Sequence, residues 1–269
     1  MIGFNYLGKL GQLGNQMFQY ASLKGIANQN GYNFCIPNHN EIFEDGLGNR
    51  LHIELFKPFV LENFNDLNVQ LIDKDRPVVQ EGSFHFNEEL FNNCPDWVCL
   101  HGFFQTEKYF KNIEQEIRED FRFNDDILIP CQEMMSDFNE PPVSLHIRRG
   151  DFLINSTNHH NLGLDYYEKA LAEFPMEVPV LIFSDDPEWC SKQELFADDR
   201  FLVAEGNSPY VDMCLMSLCE GHIIANSSFS WWGAWLANSQ KVVAPSIWFG
   251  PNNAHLDIKD LYLDHWKIV

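Results

Sequence analysis

The sequence predicts an α/β protein whose second half is a parallel sheet with helices on both faces. From residue 143 onward, short apolar runs of strand length alternate with stretches whose apolar residues recur at helical spacing. Near the N-terminus a glycine-rich loop joins a strand signal to a helix signal. Size is the third observation: 269 residues, 45% hydrophobic and 14% aromatic, bury one large core or two modest ones, and the length favours two domains.

In chain order, residues 2–6 read as a strand, 8–14 as the glycine loop, and 15–28 as a helix capped by Asn15 and closed by Gly31. Residues 37–95 give no clear pattern. Residues 106–121 read as one helix with Tyr109, Ile113, Ile117 and Phe121 along a face. Polar residues and three prolines over 124–142 read as a linker, which sets domains of 1–135 and 136–269. The strand 143–147 follows, then a helix over 165–174 with Asp165 as its cap, and a strand over 179–183. Asp186-Pro187 and Ser208-Pro209 each pair a capping side chain with a proline at the first helical position, opening helices that end near Leu195 and Gly221. Strands at 200–204, 222–226 and 241–244 and a helix at 229–237 complete the set. Five strands separated by four helices imply a parallel sheet, and such sheets bind ligands at the C-terminal ends of their strands, where Arg148, Asp185 and Asn226 fall.

Charge narrows the function. Against 18 Lys and Arg stand 39 Asp and Glu, a formal net charge of −21, so a nucleic-acid backbone or an anionic membrane meets repulsion over most of the surface. No basic segment precedes an apolar stretch at the N-terminus and no apolar run reaches the length of a membrane span, so a soluble, cytoplasmic protein is expected. The seven cysteines are odd in number and form no C-x-x-C pair, which points to packed, reduced thiols.

Four constellations carry chemistry. Ser144-Leu-His-Ile-Arg-Arg-Gly-Asp-Phe152 ends a buried strand in two arginines, an arrangement that suits an anion; ion pairing with the surplus carboxylates is the bland alternative. Arg149-Gly150-Asp151 also spells an integrin-binding tripeptide, but it hangs on a core strand rather than a loop tip. In Phe183-Ser-Asp-Asp-Pro187, one aspartate caps a helix and the other is free to accept donors from a base or a ribose. Ala225-Asn-Ser-Ser-Phe-Ser-Trp-Trp-Gly233 places serines at a helix N-terminus, a cradle for pyrophosphate, with Trp231 and Trp232 anchoring it by burial. Gly8-x-x-Gly11-x-x-Gly14-Asn15-Gln16 departs from the dinucleotide fingerprint and reads as a loop of close backbone approach, with Asn15 reaching toward the reacting group. His159-His160 reads as a solvated pair, and Asp73-Lys-Asp75 as a turn neutralised by Lys74 and Arg76.

Taken together, His146-Ile-Arg-Arg-Gly-Asp151, Gly14-Asn-Gln-Met-Phe-Gln-Tyr-Ala21, Gly102-Phe-Phe-Gln-Thr-Glu-Lys-Tyr-Phe110 and Asn226-Ser-Ser-Phe-Ser-Trp-Trp-Gly-Ala234 resemble the family 11 glycosyltransferases, which are α-1,2-fucosyltransferases. The resemblance runs from about residue 8 to about residue 250. It implies a GT-B fold of two Rossmann-like domains facing across a cleft, the first on the acceptor side and the second on the GDP-fucose side. It further implies inverting transfer of fucose from GDP-β-L-fucose to the 2-hydroxyl of a β-galactoside, with no cofactor and no metal. By the same resemblance Arg148 grips the β-phosphate, His146 and Arg149 support the nucleotide, Asp186 with Asp185 reads guanine, and Asn226, Ser227 and Ser228 meet the pyrophosphate. Gly14 and Gln16 join that donor set. Arg149 with Asp151 is expected to brace the loop that presents Arg148. Asp151, Asn15 and the His159-His160 loop remain open as the group that takes the acceptor's proton. The sequence departs from the family before Gly14, where Gly8-Lys-Leu-Gly11-Gln-Leu replaces a tighter basic-Gly-Gly run. Two rivals are a nucleotide-sugar binding protein without chemistry and a metal-dependent transferase using Asp73 and Asp75, distinguished by product formation and by sensitivity to a chelator.

Overall fold

The computed structural model describes residues 1–44 and 50–269. They form two compact units, Met1–Asn124 with Asp257–Leu261, and Asp125–Leu256 with Tyr262–Val269. The helix α4 (Asp125–Met135) occupies the stretch read as linker and packs on α8 (Pro209–Ser217) within the second unit. Pro130 inside it removes one helical hydrogen bond and gave the stretch the look of a loop. Two acids in its first turn and the buried Cys131 hold it as helix.

The first unit is built on a four-stranded parallel sheet in the order β2-β1-β6-β5. Its strands are β1 (Ile2–Gly3), β2 (Phe34–Cys35), β5 (Val78–Gln80) and β6 (Val98–His101). A separate antiparallel pair, β3 (Phe43–Glu44) with β4 (Arg50–Leu51), and the short helix α2 (Glu88–Asn93) accompany it. The helix α1 (Leu13–Gln29) is buried along nearly its whole length, including Gln16, Gln19, Ser22 and Lys24. Such burial is tolerable because most of these polar groups are paired, the Gln19 amide oxygen being an exception. Lys24 Nζ lies 2.6 Å from Asp120 Oδ2, the Tyr20 hydroxyl donates to the same oxygen at 3.0 Å, and Asn63 donates to Oδ1 from both its backbone and its amide. Gly25 lets α1 approach the chain closely, since a Cβ there would stand 2.0 Å from the Tyr109 carbonyl. The single helix expected over 106–121 is instead two 3-10 turns followed by α3 (Glu114–Asp120).

The second unit holds a six-stranded parallel sheet in the order β12-β11-β10-β7-β8-β9. Its strands are β7 (Val143–Ile147), β8 (Val180–Ser184), β9 (Phe201–Val203), β10 (Gly221–Ile223), β11 (Lys241–Ala244) and β12 (Lys267–Ile268). Its further helices are α5 (Gly150–Ile154), α6 (Leu164–Leu171), α7 (Pro187–Ser191) and α9 (Ser228–Ala237). Chain order runs outward from β7 to β9, then returns to β10 on the other side of β7, so the sheet reverses direction between β7 and β10. Strand periodicity divides β7: Val143, Leu145 and Ile147 join the core with α6, while Ser144 and His146 face oppositely, toward His222 and Phe229. The helix α9 is apolar all round, and Trp231, Trp232 and Trp235 are buried. Asp186 and Ser208 cap their helices through the backbone N–H groups of Trp189 and Val211, as the proline pairs predict. Asp165 does not cap: α6 starts from Gly163, and Asp165 lies inside the first turn with its carboxylate where a Gly163 Cβ would be. All seven cysteines are buried and unbridged.

Candidate active site

The direction reversal between β7 and β10 leaves two chain ends side by side at the C-terminal rim of the second sheet. From β7 come Arg148 and Arg149. Arg148 Nη1 stands 2.8 Å from Asp185 Oδ2, and its Nη2 donates to Asp151 Oδ1 at 2.6 Å. Arg149 Nε donates to Asp186 Oδ2 at 3.0 Å, and its guanidinium lies 3.8 Å from the centre of the Trp189 ring. The expected bracing of Arg149 by Asp151 is therefore corrected: Asp151 serves Arg148, because α5 begins at Gly150 and places residues three apart on one side of the turn. Asp185 joins both arginines, accepting the Arg149 backbone N–H at 2.9 Å through its other oxygen. Gly150 makes room for it, since a Cβ there would stand 2.6 Å from Asp185 Oδ2. Asp186 caps α7 while holding Arg149, whose guanidinium keeps that carboxyl below its ordinary range.

From β10 come Asn226, Ser227 and Ser228. Ser227 caps α9, its Oγ accepting the Phe229 N–H at 3.3 Å. Asn226 is buried, and its amide donates at 2.8 Å to the carbonyls of both His160 and Trp248, tying the rim loops together. His146 is buried behind Arg148, with Nδ1 lacking a hydrogen-bond partner. Burial, and then the Arg148 charge, pulls its pKa down to about 3, so it is neutral at physiological pH. His159 is not solvated as the sequence reading has it: its ring stacks on Phe152 at 4.1 Å, and burial lowers its pKa.

In the first unit, Gly14 and Gln16 are buried. The Gln16 amide donates to the Gly11 and His52 carbonyls, and its oxygen accepts the Glu54 N–H at 2.8 Å. Asn15 is not the helix cap, a place taken by Gln12. Its side chain crosses Gly11, whose φ is +87°, and accepts from Gln105 Nε2 at 2.7 Å. Phe104 is fully buried, a core role. Asp73 and Asp75 lie in an exposed turn, and among the described residues no group of three or more His, Cys, Asp or Glu side chains is placed to hold a metal ion. Sequence reasoning missed the contacts of Trp189 with Arg149, of Gln105 with Asn15 and of the Glu81 carboxylate with the Phe103 and Phe104 N–H groups. Gln105 lies inside a motif the sequence displays, whereas nothing in the residue pattern around Glu81 marks it.

Residues 2–269 match the family described as Glycosyl transferase family 11. The chain belongs to that family. Among relatives of this family 11 glycosyltransferase, it is 36% identical over 197 residues to the O-antigen biosynthesis glycosyltransferase WbnK of Escherichia coli, covering 66% of this chain and 64% of that one. It is 34% identical to an alpha-1,2-colitosyltransferase of Escherichia coli, covering 89% and 90% of the two chains. A galactoside alpha-(1,2)-fucosyltransferase 1 of Sus scrofa is 26% identical, covering 86% of this chain and 65% of its own. The family 11 chain thus spans less than two thirds of the length of the first and third of these.

Among solved structures, that of POFUT1 in complex with GDP-fucose superposes with a TM-score of 0.57 at 11% identity, covering 90% of this chain and 96% of its own. NodZ alpha-1,6-fucosyltransferase soaked with GDP-fucose superposes at 0.50 with 14% identity, covering 87% and 92%. At such identity the likeness is one of fold, and the family 11 chain has the GT-B type: two α/β units, each on a parallel sheet. No helix among its described residues is long and apolar enough to cross a membrane.

Proposed function

We propose that this family 11 glycosyltransferase transfers L-fucose, with inversion and without a metal, from GDP-β-L-fucose to the 2-hydroxyl of a terminal β-galactoside. The supporting observation is the second sheet's reversal point, where a guanidinium and the capped N-terminus of α9 lie on neighbouring strand ends. On this reading the second unit is the donor side and the first the acceptor side. His146, Arg148, Arg149, Asp185, Asp186, Asn226, Ser227 and Ser228 surround the donor.

Breaking the bond between the anomeric carbon and the β-phosphate puts negative charge on the leaving oxygen and positive charge on the sugar ring. Arg148 has five N–H donors and directs two nitrogens at carboxylates, so donors remain for the phosphate while Asp151 and Asp185 hold the fork in place. The capped first turn of α9 adds the positive end of a helix dipole. His146, kept neutral, sets no second cation against Arg148. Arg149 is engaged by Asp186 and Trp189 and acts by fixing the end of β7 rather than by touching phosphate. Asn226 likewise acts by joining the rim loops.

The test is incubation with GDP-fucose and lactose in excess chelator, followed by determination of the product linkage. An α-1,2-linked product supports the reading; no transfer, or transfer that stops in chelator, overturns it. A colitosyl donor is a second reading, favoured by the 34% identity to a colitosyltransferase over 89% of this chain. Colitose lacks the 3-hydroxyl of fucose, and a site built to hydrogen-bond that hydroxyl rejects the deoxy sugar by about 10⁴-fold. Comparing kcat/KM for the two GDP-sugars separates the readings.

A further inference from the structure

Inverting transfer requires that the acceptor hydroxyl lose its proton on the side of the anomeric carbon opposite the leaving phosphate. Asp151 is bound to the Arg148 guanidinium, which places it on the leaving-group side. His159 is stacked on Phe152, beside Arg148 and Asp151. The Asn15 amide is not a base, and its oxygen accepts from Gln105. Asp151, His159 and Asn15 therefore do not fit the requirement.

A different carboxylate stands at the C-terminal rim of the first sheet. Glu81 follows β5 directly, and its backbone N–H continues the ladder to the His101 carbonyl at 2.8 Å. Its Oε2 accepts the Phe103 N–H at 2.7 Å and its Oε1 accepts the Phe104 N–H at 2.9 Å. The loop is shaped around this carboxylate. A Cβ on Gly102, where φ is +156°, would stand 2.4 Å from Glu81 Cβ and 2.6 Å from Oε2. Phe104 is held in the left-handed region at φ +53°, a strain on the order of 1 kcal/mol.

Each carboxylate oxygen keeps a second lone pair, and the side chain is only partly buried. Desolvation raises its pKa to about 7 despite the two backbone hydrogen bonds, which act in the other direction. Next to it, the exposed ring of Tyr6 meets His101 edge-on at 4.7 Å, and His101 Nδ1 is shielded without a partner. The titratable and charged groups of the neighbouring elements are His101, Tyr6, Tyr109 and, beside Tyr109, the Lys108–Asp260 pair. An exposed aromatic ring and a carboxylate at parallel strand ends form a set suited to a pyranose: the ring covers an apolar sugar face, and the carboxylate takes a hydroxyl.

We propose that Glu81 is the general base of the transfer, within an acceptor subsite that includes Tyr6, whose ring His101 backs. This rests on the fucosyl-transfer reading. As the acceptor oxygen bonds to the anomeric carbon, its proton passes to the Glu81 carboxylate. The electron pair of the breaking carbon–oxygen bond goes to the GDP β-phosphate. The carboxyl then releases the proton to solvent.

Transfer to lactose and turnover with azide, an anionic nucleophile that needs no deprotonation, are measured across pH for the wild type and Glu81→Gln. Wild-type transfer to lactose is expected to fall below about pH 7, while azide turnover does not. Glu81→Gln is expected to lose about 10²- to 10⁴-fold in lactose transfer, with the acid limb gone, azide turnover within about threefold and GDP affinity within about twofold. Retention of a tenth or more of lactose transfer, or an equal loss with azide, overturns the proposal. Should Glu81→Gln not fold, the wild type alone decides: an acid limb in azide turnover matching that in lactose transfer overturns it. A wild type that makes neither fucosyl lactose nor fucosyl azide sinks the underlying reading instead.

Discussion

At its C-terminal rim the six-stranded sheet presents two arginines, each already held by an aspartate, and a capped helix N-terminus. The four-stranded sheet presents amides, an exposed tyrosine and one carboxyl of near-neutral proton affinity. On the proposed reading, parallel sheets of one general design are finished for different tasks: the second for an anion, the first for hydroxyl groups and a proton. Their interiors differ as well. The second unit buries two neutral histidines, whereas the first buries an ion pair, Lys24 with Asp120.

The largest expected effect is on that ion pair. Asp120→Ala leaves Lys24, Tyr20 and Asn63 without their shared acceptor and is expected to cost about 3–5 kcal/mol, read by denaturant unfolding of the first unit. GDP affinity in the still-folded protein should stay within about twofold. Loss of GDP affinity without loss of stability would erase the division between the units.

Next is the response to pH. His146 and His222 take protons near 6.5 in an unfolded chain but only at about 3 in the fold, so their contribution to stability falls as pH drops from 6.5 toward 3. Glu81 has the opposite sign. Its folded pKa of about 7 exceeds the ordinary 4.5, so its contribution is complete below 4.5 and is lost as pH rises through 7. Hydrogen exchange corrected for intrinsic rates should show β7 and β10 opening first in acid, and β5 and β6 losing protection between pH 5 and 8. His222→Gln should flatten the acid response of the second unit.

A smaller effect is expected at Gly150. The methyl of Gly150→Ala displaces the Asp185 carboxylate from Arg148 and should weaken GDP binding by about tenfold, or 1.4 kcal/mol, by calorimetric titration. The same change should leave Tyr6 and Glu81 untouched, so KM for the galactoside should hold.

The second unit was the more legible in sequence because its signals are local. β7 follows from an alternating apolar pattern and β11 from a short apolar run, and Asp186-Pro187 and Ser208-Pro209 open α7 and α8 as their capping chemistry dictates. In the first unit, β1 and β2 are two residues long, too short for any periodicity to show. The stretch 106–121 has helical spacing, yet it breaks at Phe110, where φ −135° interrupts the helix. Asn15 looked like a cap because its partner, Gln105, lies 90 residues away. Arg148 and the serines before α9 were legible as candidates for an anion site, but the exchange of partners between Arg148 and Arg149 needed the start of α5 to be known. Glu81 stayed hidden for a similar reason: its proton affinity depends on desolvation by a loop some 20 residues further on.

The most direct test of the donor assignment is the turnover of Arg148→Ala with GDP-fucose and lactose, measured beside its thermal midpoint. A fall in kcat of about 10²- to 10³-fold is expected, with a midpoint within a few degrees of the wild type. Near wild-type turnover in the folded variant would contradict the placement of the leaving phosphate at the end of β7.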